Sequence, residues 1–234
     1  MYEYLAGIVI MFIVWTFFFI MRKDLRKVMV WSGIFYVIIL TIGFFAHSLI
    51  SNDPLRAITP GYWAPQTLFN LGQITGGYAI EDVLFMFFAG GIATALYEFF
   101  FHKKIVIRPV KKLKRKHALL FGILVTLILH QVFYFNDMYL LIYFNFFGAL
   151  AILWQRRDLI IHSLVGGLFF LCVYILGFLL LIQIYPNLVQ DIYRLHLTSG
   201  IILLGIPLEE YLYAITFGML WAPIYEYEHR YKDK

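Results

Sequence analysis

Seven stretches of this chain are apolar for close to the roughly 20 residues that a helix needs to cross a bilayer. They fall near 3–21, 28–50, 80–101, 117–135, 138–154, 159–183 and 201–224. Backbone polar groups in hydrocarbon must be satisfied within the segment, so such runs are helices. The composition agrees, at 62% hydrophobic and only 14% charged, where a soluble chain is nearer half apolar and a quarter charged. The expected fold class is an all-α membrane protein with seven transmembrane helices. The first run lacks a basic lead-in and is followed directly by Arg22-Lys23, so it reads as a span and not as a cleaved signal.

The connections fix an expected topology. Arg22, Lys23, Arg26, Lys27, Lys103, Lys104, Arg108, Lys111, Lys112, Lys114, Arg115, Lys116, Arg156, Arg157, Arg230, Lys232 and Lys234 share one side. They are 17 of the 19 Lys and Arg residues, and only Arg56 and Arg194 fall on the other. Cytoplasmic loops carry the basic excess, so the N-terminus is expected outside and the C-terminus in the cytoplasm. The single cysteine, Cys172, excludes an internal disulfide or a cysteine metal cluster.

The chain also repeats itself. Ile80-Glu81-Asp82-Val83-Leu84-Phe85 returns 128 positions later as Leu208-Glu209-Glu210-Tyr211-Leu212-Tyr213. The alignment continues without a gap through Gly90 and Gly218, Tyr97 and Tyr225, Glu98 and Glu226. One such acidic pair is satisfied by the bland reading of a helix N-terminus, where carboxylates favour the dipole. Two copies, each followed 16 positions on by Tyr-Glu, favour a functional reading, since intramembrane charge is costly. Three spans in each copy, 1–101 and 138–234, with 102–137 as a basic loop and linking span, make the repeats parallel about an axis along the membrane normal.

At heptad spacing the seams are Glu81, Leu84, Phe88, Gly91, Ala95, Glu98 and Glu209, Leu212, Thr216, Met219, Pro223, Glu226. Each puts its two carboxylates on the bundle interior, about 25 Å apart along the axis. Glu98 and Glu226 lie near the basic side and are expected to pair with arginine or lysine at the interface. The loop 51–79 carries Pro54, Pro60, Gly61, Tyr62, Trp63 and Pro65, suited to interfacial anchoring or to a lid.

Several chemistries are excluded. No lysine falls within a span, so no retinal Schiff base is possible. No Gly-x-Gly-x-x-Gly unit is present. The seven histidines fall mostly one per segment and read as interface residues, so no metal is expected, although Glu209, Glu210 and His196 are a set that can meet in space. What remains is a carboxylic acid in an aromatic-rich apolar cavity, where burial disfavours the charged form. Such an acid can protonate a lipid-soluble alkene. Aromatic faces such as Tyr213, Phe85 and Trp221 stabilise a cation, and exclusion of water keeps it from being quenched. A second carboxylate then removes a proton, so the reaction is redox-neutral and needs no cofactor.

Pro207-Leu208-Glu209-Glu210-Tyr211-Leu212-Tyr213 resembles the Pro-x-Glu-Glu motif of the flavin-free, integral-membrane lycopene cyclase family in its fused, two-repeat form. Ile80-Glu81-Asp82-Val83-Leu84-Phe85 is similar to the same motif in the other half, and Gly61-Tyr62-Trp63 to the family's aromatic loop. The first copy departs from it, with Ala79 for the proline and Asp82 for the second Glu. The resemblance implies cyclisation of the acyclic ends of a lycopene-like polyene held within the bilayer. It implies Glu209, Glu210, Glu81 and Asp82 as catalytic groups, and Trp63, Phe85, Tyr213, Trp221 and Phe88 as substrate contacts. The rival layout is a small transporter with SWEET-like parallel repeats, but spans 1, 2, 5 and 6 have no interior proline to hinge on. A Glu-Glu intramembrane protease motif places an arginine where Ala214 stands.

Overall fold

A computed structural model describes residues 3–50, 53, 55–102, 105–106, 118–133, 135–229 and 232–233. Lys103, Lys104, Arg108, Lys111, Lys112, Lys114, Arg115, Lys116, Arg230 and Lys234 of the topology argument lie outside the described residues, as do Pro54 and His117.

The molecule is an all-α membrane protein, with helices α1 (Glu3–Met21), α2 (Arg26–Ile50), α3 (Ile80–Phe100), α4 (Ala118–Val132), α5 (Asp137–Gln155), α6 (Ile160–Ile184), α7 (Leu208–Trp221) and α8 (Ile224–His229). Five of them, α1, α2, α3, α5 and α6, are long and apolar enough to cross a bilayer. The 15-residue α4 and 14-residue α7 are shorter. The helices carry exposed apolar faces, such as Phe12, Ile13, Phe17 and Ile20 on α1 and Leu168, Leu176 and Leu180 on α6, as lipid contact requires. Lipid tails are as apolar as leucine, so close packing rather than apolar burial holds such helices together.

The seventh predicted span, 201–224, is corrected. Its first residues form a hairpin, with β1 (Ile202–Leu203) antiparallel to β2 (Ile206–Pro207). Leu204 and Gly205 make the turn at φ 50° and 79°. Pro207 is the N-cap residue, at φ −58° and ψ 141°, so α7 starts one position after it. The helix breaks at Ala222-Pro223 and resumes as α8, because proline has no N–H to continue the ladder. A second ribbon pairs Ile105–Val106 with Lys232–Asp233.

The two halves follow one plan. α3 packs against α1 and α2, and α7 against α5 and α6. The halves meet through α3 on α6, α1 on α6 and α3 on α7, while α4 lies on α5. Equivalent glycines set the closest approaches. A Cβ on Gly90 would meet Ser32 O at 2.9 Å and Gly33 Cα at 3.2 Å. One on Gly218 would meet Gly167 Cα and Phe170 Cβ at 2.8 Å. The turns after the first helix of each half also correspond. Arg22 at φ −121°, ψ 81° and Arg156 at φ −129°, ψ 74° end the helices. Each guanidinium then binds an aspartate two residues on through both oxygens, Asp24 and Asp158, at 2.8–2.9 Å.

The α7 seam departs from heptad spacing. Leu212 is exposed, while Tyr213, Ala214, Phe217, Gly218, Leu220 and Trp221 are buried with Glu209 and Glu210. α7 packs on both α5 and α6 and also meets α3, which widens the buried stripe beyond a two-helix seam.

Candidate functional site

The first acidic head is built where the extended Ala79 turns the chain into α3. Asp82 Oδ2 accepts from the Ala79 N–H at 2.7 Å, closing half of a capping box. Its Oδ1 accepts from the Tyr4 hydroxyl of α1 at 2.5 Å. Glu81 is 1% exposed. Its Oε1 accepts from the Leu68 N–H at 2.6 Å, and its buried Oε2 has no hydrogen-bond partner among the described residues.

The second head repeats the first half of that arrangement and changes the rest. Glu209 Oε1 accepts from the Ser199 N–H at 2.8 Å and from the Tyr139 hydroxyl of α5 at 2.7 Å. Its Oε2, like that of Glu81, is buried without a partner. Glu210 is held at both oxygens by phenols. Tyr62 donates to Oε1 at 2.9 Å and Tyr174 of α6 to Oε2 at 2.5 Å. Burial, and behind it the charge of Glu210, push the Tyr62 hydroxyl well above the ordinary phenol range, so it remains a donor. A hydrogen bond to a charged group is worth about 1.5–3 kcal/mol. Two on one carboxylate offset part of the several kcal/mol that burying its charge costs.

Tyr62 belongs to the first half, and it reaches the second half's carboxylate because the two long loops join. Trp63 bridges Tyr193. The Ala64 N–H donates to Ile192 O, and the Arg194 N–H to Tyr62 O, both at 2.9 Å. Tyr4 stands edge-on to Trp63 with centroids 4.5 Å apart. The loop 51–79 thus ties the two heads into one polar layer under aromatic cover.

Of the five aromatic residues predicted as substrate contacts, three surround this layer. Trp63 touches Tyr4 and Tyr193, Phe85 lies edge-on to Tyr174 at 6.5 Å, and Tyr213 stands 5.9 Å from Tyr174 and hydrogen-bonds Tyr36 at 3.0 Å. The other two stand elsewhere. Phe88 packs on Phe12 and Trp15 of α1. Trp221 is fully buried against Tyr36 and Phe217, about 16 Å along the axis from Glu210 at 1.5 Å per residue.

At the far end of the bundle the expected interfacial position of Glu98, on α3, and Glu226, on α8, is corrected. Both are buried, 0% and 1% exposed, and they converge with the equally buried His162 of α6. One ligand atom from each of the three lies within 4.8 Å of the others, and His162 Nε2 is 3.3 Å from Glu98 Oε1. Arg22 and Arg156 reach the backbone carbonyls of Glu98 and Glu226. His162, predicted as an interface residue, is an interior one, as is His130 beside Arg56 and Asp137. His196 is exposed, and it joins no group of metal-capable side chains among the described residues.

Against known families, the lycopene cyclase model matches residues 2–100 and 136–228. The chain belongs to the lycopene cyclase family. The two matched segments are the two halves, each with its acidic head, and the stretch left between them holds α4. No curated protein and no solved structure matches the chain. Within this family member, sequence reasoning located the carboxylates but missed most of what holds them. Tyr4, Tyr139 and Tyr174 come from α1, α5 and α6, and 17 tyrosines without a periodic pattern gave no signal for these three.

Proposed function

We propose that this lycopene cyclase family member closes the acyclic end groups of a lycopene-type carotenoid by redox-neutral acid catalysis. A buried carboxylic acid gives its proton to an end-group alkene carbon. A neighbouring double bond supplies the electron pair that closes the ring on the resulting cation. A carboxylate removes a proton from the carbon beside the new cation, and the C–H pair becomes the ring double bond. One proton enters and one leaves, so substrate and product have the same mass. Glu209, Glu210, Glu81 and Asp82 are the carboxylates proposed for these steps. Tyr174, Tyr213, Phe85 and Trp63 offer ring faces to the cation.

The observation that carries this reading is the buried, unpartnered Oε2 of Glu209 beside a Glu210 held by phenols. A carboxyl oxygen free in dry surroundings is available to a substrate atom and has no water to spend its proton on. General acid catalysis contributes about 10²–10⁴-fold, and a dry site offers no substitute donor. The transporter layout draws no support from the family match.

The finer architecture is part of the proposal. Residues 1–101 and 138–234 are two parallel three-span units, 102–137 links them, and the N-terminus lies outside. Reporter fusions at Asp137 and Lys234 are then expected on opposite sides of the membrane; the same side for both would overturn the parallel arrangement. The activity is tested by expressing the protein in cells that accumulate lycopene and analysing the pigments. Cyclised isomers of unchanged mass are expected. A product differing by two hydrogens or by one water would replace this reading with a desaturase or a hydratase.

A further inference from the structure

We infer that Tyr62 and Tyr174 are positioning residues that hold Glu210 as the fixed anion of the site, so that the proton moves at Oε2 of Glu209. The geometry separates the neighbours. Both oxygens of Glu210 accept from phenols, Tyr62 and Tyr174, and an ionised carboxylate is acceptor-only. The 2.5 Å separation from Tyr174 is the length of a charge-assisted O–H···O⁻ bond. Glu209 concentrates its two donors, Ser199 N–H and the Tyr139 hydroxyl, on Oε1. Its Oε2 is left for the proton that is given away. The same division runs through the first head. Asp82 is bound at both oxygens and Glu81 at one. The first acid of each pair keeps an open oxygen, and the second is locked.

The locking is a property of the joined halves. Tyr62 comes from the first half's loop and Tyr174 from the second half's α6, and the backbone bonds between Tyr62 and Arg194 and between Ala64 and Ile192 fix the loop that carries Tyr62. A fixed anion beside the reacting end group stabilises the carbocation that Glu209 creates, and it stays in place when the proton leaves. Atoms balance: the O–H bond of Glu209 breaks, a C–H bond forms on the substrate, and the later C–H loss returns a proton to a carboxylate.

The activity arm of this inference rests on the cyclase reading, whereas its spectroscopic arm needs no substrate. The full-length protein is reconstituted in lipid vesicles, and infrared difference spectra are taken between the wild type and each variant. Glu210→Gln is expected to remove an ionised carboxylate band, and Glu209→Gln a protonated carboxyl band. Tyr62→Phe and Tyr174→Phe are nearly isosteric, and each is expected to move the Glu210 carboxylate band while leaving the amide bands alone. They carry the test if Glu210→Gln does not fold. With lycopene in the vesicles, Tyr62→Phe is expected to lower kcat about 10- to 100-fold, the worth of one hydrogen bond to a charged group, with KM nearly unchanged. Loss of a protonated band from Glu210→Gln, or a Glu210 band indifferent to both phenol deletions, overturns the assignment. The expected bands with no product from lycopene leave the assignment standing and overturn the lycopene reading.

Discussion

The two acidic heads start alike and finish differently. In each, the first carboxylate takes a backbone N–H from the loop before its helix, Leu68 for Glu81 and Ser199 for Glu209, and keeps one buried oxygen open. The second carboxylates part company. Asp82 is turned back onto its own helix start at Ala79 and takes one phenol, Tyr4. Glu210 is one methylene longer. It reaches away from its helix start to Tyr62 and Tyr174. The upstream residue contributes to this. Pro207 is paired in a hairpin before α7, whereas Ala79 offers its N–H as a cap ligand for Asp82. Proline has no N–H to offer, so Glu210 has no local bond to compete with the phenols. A repeated sequence thus yields one head closed on itself and one completed by both halves.

The largest effect that tests this contrast is expected at Glu209. Glu209→Gln should fold, reach the membrane and lose about 10²–10⁴-fold in cyclisation, read as pigment products at matched protein levels. Glu81→Gln, the equivalent change in the self-contained head, should lose only about tenfold, less than a general acid supplies. Equal losses would erase the distinction and make the two heads parallel active centres. Full activity in Glu209→Gln and Glu210→Gln together would return the second head to a helix cap.

Packing, unlike chemistry, is expected to be equal in the halves. Gly90→Ala and Gly218→Ala each push a methyl into a neighbouring helix backbone. Overpacking of this kind costs about 1–3 kcal/mol. For a chain of this size that is about 2–4 °C of melting temperature per kcal/mol. Thermal unfolding in detergent should show similar drops for both; a drop in one alone would place the asymmetry in the helix packing as well. The smallest effect on products is expected at the far end. Glu98→Gln and Glu226→Gln, both at the His162 cluster, should lower the yield of folded protein to similar extents and leave the pigment pattern unchanged. A changed ring product from either variant would extend the reaction's machinery to that end of the bundle.

The class of fold and the place of the carboxylates were legible in the chain itself. Apolar runs of bilayer length can only be helices, and a duplicated acidic pair on such a run is conspicuous against its surroundings. Three things were not legible. The run 201–224 carries no polar mark of the hairpin at 202–207, because apolar length is the same signal for a strand and a helix. The burial of Glu98 and Glu226 depended on their meeting His162, a residue on another helix. The hold on Glu210 depended on two phenols from different elements, one of them, Tyr62, more than 100 residues away. Periodicity reports which side of one helix is apolar; it carries nothing about which side chains from other helices arrive there. The sequence by itself determined a helical membrane protein with two acidic heads, since those follow from the polarity of each segment against lipid. Only the tertiary structure decided which partners each head takes, because hydrogen-bond partners are chosen by which loops join, and that is settled when the two halves pack.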